Sequence, residues 1–203
     1  MTSSDQDLLR LMLAGDEDAF TALYRRHQGS IYRFALLMSG SASVADDVTQ
    51  EVFLALVNGG QRYDSTRGPL NAFLHGIARN QVLRGRRRDR GFSSLEEETE
   101  DGETSLVRNL ASPDDPLADI VRGEMVNAVR QAVLTLPARY REVVVLCDFQ
   151  ELSYAEAALA LDCAVGTVSS RLNRARALLA ERLRAMNQAD AAAFDAAPLK
   201  CLV

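Results

Sequence analysis

The amino-acid sequence predicts an all-α protein: two small helical domains joined by a flexible acidic linker, the second domain carrying a helix-turn-helix. Three observations predict it. Apolar residues recur every three or four positions through long stretches of the chain, the spacing that gathers one buried stripe on a helix. Towards the C-terminal end two such stripes are separated only by the turn Asp162-Cys163-Ala164. Between the two helical regions, SSLEEETEDGETSLVRNLASPDDP is rich in acids, Ser, Gly and Pro and has little periodicity, the composition of a solvated linker. At 203 residues and 47% hydrophobic content the chain is long enough for two small cores. The divisions fall at 1–91, 92–118 and 119–186, with 187–203 a short tail of no assigned role.

In the first domain, Leu8, Leu9, Leu11, Met12 and Leu13 make an opening helix that Gly15 ends, and Asp16 opens the next. That second helix carries Phe20, Leu23, Tyr24, Ile31, Tyr32, Phe34 and Ala35 and ends near Ser39-Gly40. Ser43 is placed to cap a third helix, SVADDVTQEVFLAL, with Val44, Val48, Val52 and Leu56 on one stripe. After the loop NGGQRYDSTRG, Pro69 suits the first turn of a fourth helix whose apolar face gathers Leu70, Phe73, Leu74 and Ile77. The second domain opens with two helices punctuated by Leu136-Pro137. Ser153 and Glu156 then form an S-x-x-E capping box before a helix whose Ala155, Ala158, Leu159 and Leu161 supply a small packing face. In the last helix Val168, Leu172, Ala175 and Leu179 form the buried seam.

The net charge is −5, but it is unevenly spread. Residues 62–90 hold eight arginines against Asp64 and Asp89, and residues 165–184 hold five against Glu181. Residues 93–120 hold nine acids and only Arg108. Two basic patches flank an acidic connector, so the average charge does not exclude nucleic acid. No apolar run reaches a membrane span, and MTSSDQDLLR lacks the basic start and apolar block of a secretory signal, so a cytoplasmic location without membrane insertion is expected. Cys147, Cys163 and Cys201 have neither disulfide-framework nor metal spacing, and only His27 and His75 could join them, so no metal or cofactor is expected.

Three constellations carry chemistry. On the third helix Asp46 and Asp47 suit the positive end of the helix dipole, and Asp47 and Glu51, four residues apart with Gln50 beside them, make an acidic ridge available to a basic partner. On the fourth helix Asn80, Arg84 and Arg87 share an edge beside Phe73. Arginine holds phosphate, Asn reads a base edge, and Phe73 or Tyr63 can stack on an exposed base; a solvated helix end is the alternative. On the last helix Thr167, Ser170, Asn173, Arg174 and Ala177 lie opposite the seam. Ser, Asn and Arg reach base edges and phosphates in a major groove, where a small Ala allows close approach.

The stretches DDVTQEVFLAL, RYDSTRGPLNAFLHGIARN and LPARYREVVVLCDFQELSYAEAALALDCAVGTVSSRLNRARALL, in that order, resemble the signature regions of bacterial extracytoplasmic-function (ECF) sigma factors of the sigma-70 superfamily. The resemblance covers nearly all of residues 5–184. It implies a promoter-specificity subunit of RNA polymerase, with core polymerase and promoter DNA as partners and an anti-sigma factor as a further one. It assigns Asp47, Gln50, Glu51 and Phe53 to the polymerase coiled coil. It assigns Tyr63 and Asn80 to a flipped base of the minus-ten element, with Arg79 and Arg84 as phosphate contacts beside it; Arg87, on the same helix edge, is counted with them on the minus-ten DNA. It assigns Tyr154, Ser169, Ser170, Arg171, Asn173 and Arg174 to the minus-thirty-five element. Phe73 stands where the family usually carries Trp.

Other classes fit less of the chain. A conventional helix-turn-helix regulator acting without polymerase explains residues 118–184 and leaves DDVTQEVF and Asn80 idle. A sigma-like adaptor that only binds an anti-sigma protein has no need of the base-reading face. An enzyme is disfavoured, because the chain holds no G-x-x-x-x-G-K, G-x-G-x-x-G, H-E-x-x-H or paired-Cys motif.

Overall fold

A computed structural model describes the backbone of residues 3–92 and 126–196, and the side chains of residues 3–85 and 126–185. All regular structure among them is helical. Helix α1 (Asp5–Leu13) begins at Ser4, whose hydroxyl accepts from the Asp7 amide, and is closed by amides turning back from Ala14 and from Gly15 at φ 96°. Asp16 caps α2 (Glu17–Ser39) by accepting from Ala19 N at 3.0 Å, and Gly40, at φ 83°, ends it as expected. Helix α3 (Ala42–Gly59) is capped by Ser41 rather than Ser43: Ser41 has the extended backbone a cap requires, and its Oγ accepts from Val44 N. Ser43 lies inside the first turn and bonds the Ser41 hydroxyl. A 3-10 turn (Gly60–Arg62) leads towards α4 (Leu70–Phe92). Pro69 stands just ahead of that helix, its carbonyl accepting from Ala72 and Phe73.

The second group comprises α5 (residues 126–134) and α6 (Ala138–Val144), which runs into a π turn (Val145–Phe149), then α7 (Tyr154–Leu161) and α8 (Val165–Ala196). Both halves of the Ser153/Glu156 capping box form. Asp162 ends α7 in the left-handed region, φ 50°, a conformation Asp tolerates better than most residues. The expected tail is partly helical. The α8 backbone continues to Ala196 through NQADAAAFDA, half of it alanine, the strongest helix former. The acidic segment and the start of the second domain lie outside the described residues.

Leu23, Ile31, Phe34, Met38, Val52, Leu56, Leu70 and Leu74 fill the core of the first group. His75 is enclosed with them, edge-on to Phe34; its Nδ1 donates to Asn71 O, which leaves Nε2 to accept from the Ser30 hydroxyl. Val133, Val143, Val144, Leu146, Val168, Leu172 and Ala175 fill the second, so the α8 seam is as expected, with Leu179 half-buried at its end.

Two apolar faces are turned from their expected positions. On α4 the buried stripe is Leu70, Leu74, Ala78 and Val82, and Phe73 and Ile77 are half-buried beside a groove. On α7 Ala157, Ala158, Ala160 and Leu161 are buried, while Ala155 and Leu159 are exposed. The cause is common to both. Helix α7 packs against α4 as well as against α8, so the two helical groups touch and share one buried cluster.

Candidate nucleic-acid interface

The loop 62–69, the outer face of α4 and the edge of α7 enclose a groove of about 440 Å³. Its floor is aromatic: the Tyr63 and Phe73 rings meet at 5.5 Å with 53° between their planes. The loop is folded before any ligand arrives. Tyr63 donates its hydroxyl to Gly68 O at 2.9 Å, and Asp64 accepts from both the amide and the hydroxyl of Thr66, bonds that hold its carboxyl below its usual range. Burial, then Asp5, pushes the Tyr63 phenol up, so it remains a neutral donor. Asn80 is exposed at the rim and makes no hydrogen bond to any described residue, leaving its amide available.

The arginines expected around Asn80 separate. Arg79 donates from Nε to Glu142 Oε1 of α6 at 2.9 Å. Arg84 is exposed one turn beyond Asn80, in a second groove that it shares with Asp47, Gln50 and Glu51 of α3. The Arg87 side chain lies outside the described residues.

On α3, Asp47, Gln50 and Glu51 form an exposed ridge. Phe53, assigned to the same partner surface, does not belong to it. It is 3% exposed and packs beneath the ridge against Tyr24 at 4.7 Å and Phe20 at 6.4 Å. It faces inward because it follows the buried Thr49 by four positions, on the side where α2 covers α3. The apolar groups beside the ridge are instead Leu54 and Val57, 45% and 48% exposed, with Tyr24 next to them. The signal was present in the sequence: Leu54 follows Gln50 by one helical turn.

On α8, Asn173 and Arg174 are exposed and make no hydrogen bond to described residues, whereas Ser169 and Arg171 are half-buried. Ser170 is exposed, but its hydroxyl donates to Thr167 O at 3.1 Å and must turn away to reach a ligand. Arg176 leaves the outer face and forks onto Asp148, which raises its pKa and makes it a brace within the second group. Tyr154 is exposed at the start of α7. The described residues contain no cluster of His, Cys, Asp and Glu able to hold a metal ion, and no helix among them is long and apolar enough to cross a membrane.

Comparison with known proteins follows the same two groups of helices. Residues 23–92 match the sigma-70 region 2 family and residues 127–179 match sigma-70, region 4. The chain is 36% identical to the ECF RNA polymerase sigma factor SigM of Mycobacterium tuberculosis, over 91% of this chain and 87% of that protein. The chain belongs to the ECF sigma factors. It is also 30% identical to the ECF sigma factor SigW of Bacillus subtilis, over 84% of this chain and 91% of that one. Among solved structures it is similar to CnrH, crystallised with the cytosolic domain of CnrY, at a TM-score of 0.65 and 26% identity over 90% of this chain and 99% of that one. The sigma factor RpoE of Bartonella quintana, in complex with the anti-sigma factor NepR, shares the fold at a TM-score of 0.66 and 24% identity, over 81% and 96% of the two chains. In this ECF sigma factor the ridge and the aromatic floor of the groove belong to region 2, and the α7 edge of the groove and the outer face of α8 belong to region 4.

Proposed function

We propose that this sigma factor docks on core RNA polymerase through Asp47, Gln50 and Glu51, opens the minus-ten element with region 2, and reads the minus-thirty-five element with α8. The domains are 1–91, an acidic connector over 92–118, and 119–186. The observation that carries the reading is the groove of region 2. An aromatic floor, a prefolded loop and an unpaired amide at the rim are what a base needs once it leaves the stack: a surface to stack on and a donor-acceptor pair for its edge. Unstacking costs a few kcal/mol, which the groove offsets only when a base enters it.

Asn80 then reads the base, Tyr63 and Phe73 receive its ring, and Arg79 and Arg84 hold phosphates on either side. Arg87 extends the same contact. On α8, Asn173 and Arg174 read base edges, with Ser169, Ser170, Arg171 and Tyr154 at the backbone. Two modules on one connector raise each other's effective concentration on a bipartite site, so neither needs high affinity alone. The factor supplies no catalysis of its own; polymerase makes the phosphodiester bonds, and the work is cytoplasmic. CnrH was crystallised with the cytosolic domain of CnrY and RpoE with the anti-sigma factor NepR, and an anti-sigma factor is the corresponding partner here.

The test is capture of core polymerase by the purified chain, followed by binding to duplex DNA with and without core. The account expects tight, sequence-selective DNA binding only with core present. Tight DNA binding by the chain alone, with no affinity for core, would establish a polymerase-independent regulator instead.

A further inference from the structure

Two rings from different elements make the floor of the groove, and their 5.5 Å separation depends on where the loop 62–69 stands relative to α4. Phe73 is fixed by α4, whose buried stripe belongs to the core. Tyr63 has no such support from its own loop. The bonds from the Tyr63 hydroxyl to Gly68 O, from Arg67 N to Asp64 O and from Thr66 to Asp64 all close within residues 63–68. They make the loop a unit without placing it. Its far end joins α4 at Pro69, and its near end needs a contact from outside.

Within region 2, helix α1 supplies that contact. The Tyr63 amide donates to Gly60 O at 3.0 Å, which ties the loop to the 3-10 turn. Gly60 is buried, and a Cβ there would lie 3.2 Å from Leu9 Cδ1 and 3.4 Å from Leu13 Cδ2. The backbone at Gly60, φ −59° and ψ −24°, is ordinary right-handed helix, so the glycine serves close approach rather than a special conformation. The other end of α1 is fixed to α2. Asp5 accepts from Arg26 and lies 2.9 Å from His27 Nε2, and Arg26 also donates to Ser3 O at 3.2 Å. Burial and then Asp5 raise the Tyr63 pKa, which puts the anchored end of α1 beside the phenol.

We propose that α1 is a positioning element for base capture: anchored to α2 by Asp5, it seats the 3-10 turn against Leu9 and Leu13 and thereby holds Tyr63 opposite Phe73. The proposal rests on the reading of Tyr63 and Phe73 as the surface that receives the melted base. Helix α1 lies ahead of residues 23–92, which match region 2, so that match gives it no part in the task. The physical reason is preorganisation. A loop already standing at stacking distance loses little freedom when the base arrives, whereas a displaced loop must be ordered at that moment, at the expense of binding.

Gly60→Ala tests the seat. The helical backbone accepts alanine, so the substitution acts through its methyl group, which displaces the turn from Leu9 by a few tenths of an ångström. Where about 1 Å of misplacement costs about 100-fold, such a shift should slow promoter opening by about 4- to 10-fold. Leu9→Val shortens the side chain that meets the new methyl, so the pair Gly60→Ala with Leu9→Val should open DNA at the rate of Leu9→Val alone. The assay uses the full chain with saturating core polymerase on a promoter fragment taken from a mapped start site. Permanganate reactivity of the minus-ten thymines, followed in time, reads opening; core titration reads docking and urea unfolding reads stability. A merely structural α1 would shift the urea midpoint and leave the opening rate of the saturated complex unchanged, and that result would overturn the proposal. So would a Gly60→Ala defect that Leu9→Val does not relieve. Tyr63→Ala separates the two levels. If it opens DNA normally, the reading of the groove fails and the seat with it; if it opens DNA slowly while Gly60→Ala opens it normally, only the seat fails.

Discussion

Asn80→Ala separates function from folding cleanly. The side chain is exposed, makes no hydrogen bond to any described residue, and sits mid-helix in α4, where Ala is the better helix former by up to about 0.7 kcal/mol. The variant should be as stable as the unaltered chain or slightly more so, and its affinity for core should not change, because Asn80 is not part of the Asp47 ridge. Loss of a bidentate base contact costs about 1–3 kcal/mol, which predicts promoter opening reduced about 5- to 150-fold. A fluorescent base analogue at the flipped position, followed in a stopped-flow instrument with core present, reads opening directly; thermal melting and core titration supply the controls. The reasoning fails if stability drops by more than about 1 kcal/mol, if core affinity falls in step with opening, or if opening is unaffected.

Other expectations follow from the same structure. Arg174→Ala should weaken upstream duplex binding by roughly 1–3 kcal/mol if it reads a base; if it holds a phosphate, the loss is similar across sequences and the salt slope falls by about one. Titrations at several salt concentrations distinguish the two. Leu172→Ala, at 0% exposure in the α8 seam, should destabilise the protein by about 2.7–5 kcal/mol in urea unfolding. Reversing the ridge with Asp47→Arg should weaken core capture while leaving thermal stability nearly unchanged, since the side chain is exposed. His75 gives a pH dependence. Burial lowers its pKa from 6.5 to about 4, so the unfolded chain takes up the proton first as pH falls. Its contribution is intact above pH 6.5 and is lost between 6.5 and 4, amounting to about 2 kcal/mol from pH 7 to 4.5. His75→Gln should flatten that part of the pH profile of urea midpoints.

What was legible in the sequence was local. Asp16, Gly40, the Ser153/Glu156 box and the Val168-Leu172-Ala175 seam act within one or two helical turns, and each has the predicted partner. The Ser41 cap was missed because two serines two residues apart carry the same side-chain chemistry, and backbone conformation decides between them. Phe53, Phe73 and Leu159 were misplaced for a different reason. An apolar residue at the edge of a stripe is turned inward or outward by whatever packs beside it, and here that is α2 for Phe53 and the contact of α4 with α7 for the other two. Arg79 and Glu142 stand 63 positions apart, and nothing in their local sequences announces the pair. In the candidate site the types of residue were legible, but which of them stand at the rim of the groove and which are paired to another helix came from tertiary packing.

The central claim is that one chain both docks on polymerase and selects where it starts. In vitro transcription by core polymerase on genomic DNA, with and without the purified factor and with start sites mapped, tests it most directly. The account predicts discrete factor-dependent start sites sharing two upstream elements, and their loss with Asn80→Ala despite normal core binding. Start sites that are identical with and without the factor would contradict it.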